Sequence, residues 1–317
     1  MKKKVLFITA SDIHFADWGQ FNKDGRRITA HLNVWAKLEA LCTFYDCALL
    51  FPGDLFHNPK HLSNRLLNKV LPTLIKTPIM VIGIDGNHDQ DGISTPTKQP
   101  HGYMGLMEKI SLGWNCINFS SINMGNITIW GIPYLTHNIG FTDYVDNMDI
   151  DPNRENILII HTDLPGAVDP SGREVATAEG LTKQYSKLFS KFNLVLAGHI
   201  HKPQKLASNV IMVGAPQQQS RGDRKCDFGY WKIYEDLSIE FFALDTPKFK
   251  TALSDEETDE FNYWDIEPQA KQDQDKAIIS PKVNTEAGAI SKYVADTGMK
   301  RTKANILKKL INKAKND

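Results

Sequence analysis

The sequence contains few cysteines and no long apolar run. None of its cysteines has CxxC or zinc-finger spacing, and so few thiols among 317 residues do not indicate a secreted disulfide scaffold. The apolar run near the start is too short for a signal peptide, because Ser11 and Asp12 end it. No stretch is apolar for long enough to cross a membrane. We therefore expect a cytoplasmic protein without membrane contact, nucleoid-associated if its source is a bacterium or a phage. The four cysteines are Cys42, Cys47, Cys116 and Cys226.

The chain also lacks an excess of charge of either sign. Lys and Arg together number 37, as do Asp and Glu, so the formal net charge is zero. A protein that binds DNA by charge alone is usually basic, so contact with nucleic acid would have to come from a local patch. Charge becomes uneven only near the end, where residues 251–275 hold nine acids and one base, and residues 287–317 hold eight bases and two acids.

These shifts in composition predict three parts. Residues 1–250 are expected to form a folded domain, residues 251–286 an acidic, solvated linker, and residues 287–317 a basic helical segment. Two apolar stripes at helical spacing, around Tyr293 and around Leu310, indicate a pair of short helices whose apolar faces must be buried. The pair either folds back onto its own domain or docks on a partner protein, and both alternatives stay open.

Short apolar runs bounded by turn residues recur along the first 250 residues, and helical patterns lie between several of them. Runs of this length fit strands that are buried on both faces. Strands that alternate with helices predict an α/β layered architecture. The predicted strands are residues 5–9, 48–51, 79–82, 127–130, 157–160, 194–197 and 210–213, with a closing hairpin over residues 227–234 and 238–243. The predicted helices are residues 30–45, 62–75 and 180–192.

Residues with metal-binding side chains follow five of these strands directly. The carboxyl ends of strands in an α/β sheet form the edge where ligands bind, so we expect these side chains to converge. Imidazoles and carboxylates without cysteine favour Mn, Fe or Zn over a structural thiolate site. Phosphodiester cleavage uses two ions about 3.5–4 Å apart, and Asp54, at a central strand end, fits the shared ligand. The residues concerned are Asp12, His14, Asp54, His57, Asn87, His88, His161, His199 and His201.

The order Asp-x-His, Gly-Asp, Gly-Asn-His-Asp, His and Gly-His-x-His resembles that of the calcineurin-like metallophosphoesterases. The resemblance implies an α/β fold in which a layered β-sandwich is flanked by helices, here with a C-terminal helical appendage. It implies in-line attack on phosphorus, with two divalent ions stabilising the transition state and a protonated His88 assisting the leaving oxygen. By the same resemblance, one ion would be held by Asp12, His14, Asp54 and His201, and the other by Asp54, Asn87, His161 and His199.

A narrower resemblance, to the SbcD/Mre11 nucleases, is carried by residues 53–57, 198–203 and 213–217, although Ala215 and Gln217 depart from the usual serine and acid. It implies a DNA exonuclease, with endonuclease activity also open, that acts in DNA end processing, recombination or repair. His57 would position the DNA phosphodiester. Mn²⁺ is the expected ion, with Mg²⁺, Fe²⁺ or Zn²⁺ as alternatives. A homodimer that works with an SbcC/Rad50-type ATPase is also implied, and the length is similar to that of compact phage members.

Other interpretations stay open at this point. Lys202, Arg221 and Arg224 are candidate phosphate contacts. Lys202 is the better candidate, because a basic cluster such as that of the two arginines usually lies in a solvated loop. The alternative enzyme is a small-substrate phosphodiesterase that acts on cyclic nucleotides or nucleotide esters with the same metals. A scaffold without activity would need a missing ligand, and none is missing. The acidic interval before the terminal helices is short for a full DNA-capping domain.

Overall fold

Twelve strands and five α-helices make up the part of the chain that the computed structural model describes: residues 3–17, 26–58, 60, 62–175, 181–219, 223 and 226–246. The predicted linker and terminal helical segment, residues 251–286 and 287–317, lie outside these residues. Within them, no helix has the length and apolar character needed to span a bilayer.

The strands are β1 (Val5–Thr9), β2 (Ala48–Phe51), β3 (Val81–Gly83), β4 (Trp114–Cys116), β5 (Ser120–Met124), β6 (Ile127–Ile132), β7 (Glu155–His161), β8 (Leu194–Gly198), β9 (Gln204–Ala207), β10 (Val210–Met212), β11 (Gly229–Tyr234) and β12 (Ile239–Ala243). The helices are α1 (Arg26–Tyr45), α2 (Asn64–Ile75), α3 (Tyr103–Ile110), α4 (Phe141–Asp146) and α5 (Leu181–Phe189), and a 3₁₀ turn covers Thr136–Asn138.

The strands form two six-stranded mixed sheets. The first has the order β12-β11-β1-β2-β3-β4, and the second has the order β5-β6-β7-β8-β10-β9. Strands β1 to β4 are parallel, as are β6, β7, β8 and β10, whereas β11, β12, β5 and β9 pair antiparallel at the outer positions. Parallel neighbours need crossover connections: α1, α2 and α3 connect β1 to β4 in turn, and α4 and α5 connect β6 to β7 and β7 to β8. The connection from β8 to β10 contains β9.

Successive residues of the central strands face opposite layers. In β2, Leu50 belongs to the core between the two sheets, whereas Leu49 packs in the core beneath α1, α2 and α3. In β7, Ile159 faces the same core between the sheets, whereas Leu158 packs beneath α4 and α5. Burial on both faces explains why these strands are continuous apolar runs. The result is a sandwich of two sheets flanked by helices, which confirms the predicted architecture.

The predicted strands and helices are present, with small shifts at their ends. β3 covers Val81–Gly83, two residues later at its start than predicted, and α1 begins at Arg26. The elements that the sequence pattern did not predict are short or lie at sheet edges. No residue of β5 or β9 is fully buried, and α3 and α4 have eight and six residues. Hydrophobic periodicity is weak over such lengths.

Two stacked indole rings connect β4 to α1, and the loss of this stack is expected to destabilise the fold. The rings of the buried Trp35 and Trp114 lie 5.4 Å apart with planes 4° apart, and Trp114 Nε1 donates to the Leu74 carbonyl at 3.0 Å. We expect Trp114→Ala to lower the free energy of unfolding by about 3–5 kcal/mol in urea denaturation. Trp114→Phe, which keeps a ring in the stack, should cost less. A cost below about 1 kcal/mol for the alanine variant would contradict this packing argument.

Candidate metal centre

The five strand ends with the predicted ligands meet at one edge of the sandwich. The loops after β1, β2 and β3 come from the first sheet, and the loops after β7 and β8 come from the second. The two sheets approach each other closely at Gly198, where a Cβ atom would overlap the Pro52 carbonyl oxygen and lie 2.5 Å from Ser11 Oγ. Only glycine therefore allows the two sheets to bring their loops together at this point.

The first group of converging donors consists of Asp12, His14 and His201. One ligand atom from each lies within 4.8 Å of the other two. His14 Nε2 is 3.3 Å from His201 Nε2 and 3.8 Å from Asp12 Oδ1. Asp12 and His14 are buried, and the His201 side chain is 23% exposed. Two imidazole nitrogens and a carboxylate oxygen that face one another in this way form a donor set that suits a divalent cation.

The second group consists of Asp54, His161 and His199, whose ligand atoms also lie within 4.8 Å of one another. Asn87 joins this group through its amide oxygen. Asn87 Oδ1 is 2.9 Å from His161 Nε2 and 2.9 Å from His199 Nδ1. The group therefore offers oxygen and nitrogen donors without a thiolate, as a borderline or hard divalent ion requires.

One carboxylate oxygen lies between the two groups. Asp54 Oδ2 is 3.4 Å from His14 Nε2 in the first group and 3.3 Å from His161 Nε2 in the second. The other oxygen, Oδ1, accepts the backbone N–H of His88 at 2.8 Å, which fixes the plane of the carboxylate. Burial raises the pKa of Asp54, but the charges of the neighbouring His161 and His14 lower it by more. The net shift is therefore downward, and the carboxyl group is ionised.

The loops that hold these ligands adopt backbone conformations that residues other than glycine rarely adopt. Asp12, His14, Asp54 and His199 have φ values of 56°, 53°, 59° and 96°. Conformations of this kind cost free energy and persist where surrounding contacts enforce them. They aim the side chains back toward the shared edge of the sandwich.

Asp89 supplies much of that enforcement around Asp54. Its buried carboxylate accepts backbone N–H groups from Asp54 at 2.7 Å, Leu55 at 3.0 Å, Phe56 at 3.0 Å and Gly86 at 3.0 Å. Burial and the nearby Asp54 raise the pKa of Asp89, and these N–H donors oppose that shift. Asp89 thus joins the loop after β2 to the loop after β3 and positions Asp54 without facing either donor group.

Hydrogen bonding fixes which ring nitrogen His161 presents. His161 Nδ1 is 2.7 Å from the Pro52 carbonyl, which only accepts, so Nδ1 carries the hydrogen and donates. Nε2 is therefore the ring nitrogen that faces Asp54 and Asn87. Burial lowers the pKa of His161, but the charge and hydrogen bond of Asp54 outweigh burial and raise it to about 9. The proton of His161 Nε2 therefore faces Asp54 Oδ2 at a contact of 3.3 Å, and an ion that binds both atoms would replace it.

His57 and His88 lie beside the first group, and together with His14 they form a third set of histidines whose ligand atoms lie within 4.8 Å of one another. Their rings stack with centroids 4.5 Å apart, and His57 Nδ1 is 3.3 Å from His14 Nδ1. His88 Nδ1 donates to the His57 carbonyl at 2.7 Å, which leaves Nε2 available for another partner. Burial, together with the charges of His88 and Arg27, lowers the pKa of His57 to about 4. Both rings are half-buried, so they form part of the accessible wall of the site.

The three candidate phosphate contacts are less closely tied to the two donor groups. Lys202 follows His201 directly and is partly exposed, whereas Arg221 and Arg224 lie outside the described residues. Sequence reasoning missed Asp163 and Asp223, each of which contacts a histidine of the site at 3.2 Å. Asp163 could have been predicted, because it lies only two residues after His161, just past the end of the same strand. Asp223 lies within the basic segment that was interpreted only through its arginines.

Gly86 is expected to be essential for the position of Asp54. A Cβ atom on Gly86 would overlap Asp54 Oδ1 and lie 2.6 Å from the Asp54 backbone nitrogen. We expect Gly86→Ala to weaken divalent-ion binding roughly 10- to 100-fold, as the loss of support around a ligand typically does. Gly105→Ala is the matched control, because a Cβ atom there meets nothing within 4 Å. Calorimetric titration with Mn²⁺ measures both, and equal affinities in the two variants would contradict the expectation.

One curated protein and two solved structures are similar to this chain. The chain is 26% identical over 252 residues to the SbcD subunit of the nuclease SbcCD from Staphylococcus saprophyticus, in a match that covers 70% of this chain and 65% of that protein. The chain therefore spans just under two thirds of the length of that relative. Solved structures with a similar chain course include a putative 5'-nucleotidase from Staphylococcus aureus, at 14% identity, a TM-score of 0.42 and coverage of 79% of this chain and 56% of that one. Another is the calcineurin-like phosphoesterase YfkN from Bacillus subtilis, at 13% identity, a TM-score of 0.38 and coverage of 78% and 93%.

The family model described as calcineurin-like phosphoesterase matches residues 6–203. The matched segment contains all the residues of the two donor groups and ends just after His201. It covers more than half of the 317 residues. The chain therefore belongs to the calcineurin-like phosphoesterase family of metal-binding hydrolases.

Proposed function

We propose that this protein is a DNA nuclease that hydrolyses phosphodiester bonds with two divalent metal ions. The observation that carries the proposal is the position of Asp54, whose Oδ2 atom faces His14 Nε2 at 3.4 Å and His161 Nε2 at 3.3 Å. A carboxylate oxygen between two groups of metal donors suits a ligand shared by two ions. One ion would take Asp12, His14, Asp54 and His201, and the other would take Asp54, Asn87, His161 and His199.

The ions are expected to be Mn²⁺, with Mg²⁺, Fe²⁺ or Zn²⁺ as alternatives, because the donors are imidazole, carboxylate and amide groups. When bound, such a pair supplies Lewis-acid stabilisation of the phosphoryl oxygens and makes water a better nucleophile. The chain's own contribution is to fix the donors. Backbone N–H groups hold the carboxylates of Asp54 and Asp12, at 2.8 Å from His88 and 3.2 Å from His199.

His88 is proposed to donate a proton to the leaving oxygen. Its Nδ1 hydrogen is committed to the His57 carbonyl at 2.7 Å, so Nε2 is the atom that gains and loses a proton during the reaction. The orientation of the ring is fixed by that hydrogen bond and by stacking on His57 at 4.5 Å. A ring fixed in this way needs little reorganisation to meet the leaving group.

DNA as the substrate is supported by two observations. The relative that is 26% identical is named as a subunit of a nuclease. His57, three residues after Asp54, lies on the accessible side of the first donor group, where it could position a phosphodiester. Lys202 is a candidate contact for a neighbouring phosphate, and Arg221 and Arg224 would extend that contact if their loop faces the site.

An assembly is also proposed: the name of the same relative, a subunit of SbcCD, supports a second kind of subunit, and the exposed apolar surface of this chain supports a homodimer. A homodimer would use the surface of α2 and α3. Leu106 and Ile110 of α3 are 44% and 37% exposed, and Leu112, two residues after α3, is 71% exposed. Residues 1–250 would form the nuclease domain. Residues 251–286 would serve as an acidic linker, and residues 287–317 would bind an SbcC/Rad50-type ATPase in DNA end processing, recombination or repair.

The test is digestion of end-labelled linear duplex DNA by the purified full chain with added Mn²⁺. We expect the release of nucleotides to require the ion and to stop when a chelator removes it. A parallel assay with a cyclic nucleotide tests the alternative of a small-substrate phosphodiesterase. Rapid turnover of the cyclic nucleotide without DNA cleavage would overturn the nuclease assignment, and turnover of neither would overturn both.

A further inference from the structure

Two histidines separated by one residue present opposite ring nitrogens to the site. His199 directs Nδ1 inward, 2.9 Å from Asn87 Oδ1, whereas His201 directs Nε2 inward, 3.3 Å from His14 Nε2. The outward nitrogen of each ring contacts a carboxylate. His199 Nε2 is 3.2 Å from Asp163 Oδ1, and His201 Nδ1 is 3.2 Å from Asp223 Oδ2. Each carboxylate therefore selects the tautomer that leaves the inward nitrogen free to bind a metal.

Asp163 is held in place by its chain neighbours. It lies just after the end of β7, between Thr162, which is hydrogen-bonded, and Leu164, which is packed in the core. Thr162 Oγ1 donates to Asn138 Oδ1 at 2.8 Å, and Leu164 is 1% exposed. The Asp163 side chain is 49% exposed and that of His199 is 27% exposed, so the pair lies at the rim of the site. Solvent screens a charge at the rim, so the direct hydrogen bond is the main route for its influence.

Asp223 is buried and belongs to a longer chain of contacts. Besides His201, its Oδ2 atom accepts the backbone N–H of Gln219 at 2.9 Å. The Gln219 side chain donates to the carbonyls of Asp12 and Ile13 at 3.0 and 3.1 Å. Asp223 thus joins the ring of His201 to the loop that supplies Asp12, and both ligands belong to the first donor group.

We propose that Asp163 and Asp223 are positioning residues that control the two metal sites separately, Asp163 through His199 and Asp223 through His201. The inference rests on the proposed function, because it takes the two donor groups as the sites of two ions. Neither carboxylate touches substrate. Each one holds a ring by a hydrogen bond so that the inward nitrogen faces one ion only, which strengthens the bond to that ion.

The first measurement is calorimetric titration of the metal-free full chain with Mn²⁺. Wild type is expected to bind two ions. Asp163→Ala should weaken one ion roughly 10- to 100-fold and leave the affinity for the other within about 3-fold of wild type. Asp163→Asn keeps an acceptor oxygen for His199 Nε2–H and should lose much less affinity for that ion. If asparagine loses as much as alanine, Asp163 acts by its charge and the positioning role is wrong.

A double-mutant comparison identifies the route through His199. If Asp163 acts only by orienting that ring, Asp163→Ala should cause no further loss of affinity in a His199→Ala background. In a His201→Ala background, the same change should cause its full loss. An equal loss in all three backgrounds would show that Asp163 acts on the ion directly and would overturn the inference.

Asp223→Ala is expected to weaken binding of the other ion, and its melting temperature is measured without metal because Asp223 is buried. If that variant does not fold, the Asp163 variants still decide the Asp163 assignment, and Asp223→Glu becomes the second test of Asp223. If Asp163→Ala and a folded Asp223 variant weaken the same ion, the separate control is wrong. Wild type that binds fewer than two ions would instead contradict the proposed function, so the two failures are distinguishable.

Discussion

Asp54→Asn is expected to reduce phosphodiester cleavage by at least about 10³-fold, or about 4 kcal/mol of transition-state stabilisation. The substitution keeps the shape of the side chain but leaves one oxygen and one NH₂ group. In the wild type, Oδ1 accepts the His88 N–H at 2.8 Å, and Oδ2 faces both donor groups. Whichever way the amide turns, its NH₂ group faces either the His88 N–H donor or the bound ions, and both arrangements are repulsive.

The measurement combines DNA cleavage with Mn²⁺ stoichiometry and thermal unfolding. Wild type should melt at a higher temperature with Mn²⁺, because an ion that binds only the folded state stabilises it. The Asp54→Asn variant should lose most of that rise. Asp149→Asn, which changes an exposed aspartate outside the site, is the matched control and should behave as wild type. Two ions and near-normal cleavage in the Asp54 variant would show that Asp54 is not shared.

Each donor group combines residues from both sheets, which explains why the sandwich and the site depend on each other. In the first group, Asp12 and His14 follow β1 and His201 follows β8. In the second, Asp54 follows β2, and His161 and His199 end or follow β7 and β8. Bound ions would therefore fasten the two sheets together at this edge, and separation of the sheets would remove both sites at once.

The ligands could be predicted because their signal is local. A buried strand is an apolar run, and the polar residue directly after it must lie at the carboxyl edge of the sheet. Asp12, Asp54 and His161 were found in that way. Their mutual distances were not predictable, since these depend on how two sheets pack and on the left-handed backbone at Asp12 and Asp54.

The supporting residues show why the rest could not be predicted. Asp223 lies 22 residues after His201, and its contact depends on how the intervening strands and loops fold back. Asp85 has no partner near it in sequence, yet in the fold it accepts from the Met104 N–H at 2.9 Å and from Asn118 Nδ2 at 2.5 Å. Burial raises the pKa of Asp85 to about 6 despite these hydrogen bonds. Contacts between distant segments leave no periodic pattern in the sequence.

His88→Gln is expected to lower kcat for DNA about 10²- to 10³-fold while two ions remain bound. The ligands proposed for the two ions do not include the His88 ring, although its ligand atom lies within 4.8 Å of those of His14 and His57. The backbone N–H that holds Asp54 persists in the variant. The loss should depend on the leaving group, because the ring is proposed to protonate it. A diester of p-nitrophenol, whose leaving group departs without a proton, should be cleaved by the variant at close to the wild-type rate.

His101→Gln is the matched control, because it makes the same chemical change at an exposed histidine outside the donor groups. It should leave both substrates unaffected. If His88→Gln lost as much activity on the p-nitrophenyl diester as on DNA, with two ions still bound, the ring would serve to orient substrate and not to protonate the leaving oxygen. A loss of one ion in the same variant would instead place His88 among the metal ligands, and the donor set around His14 would need to be reassigned.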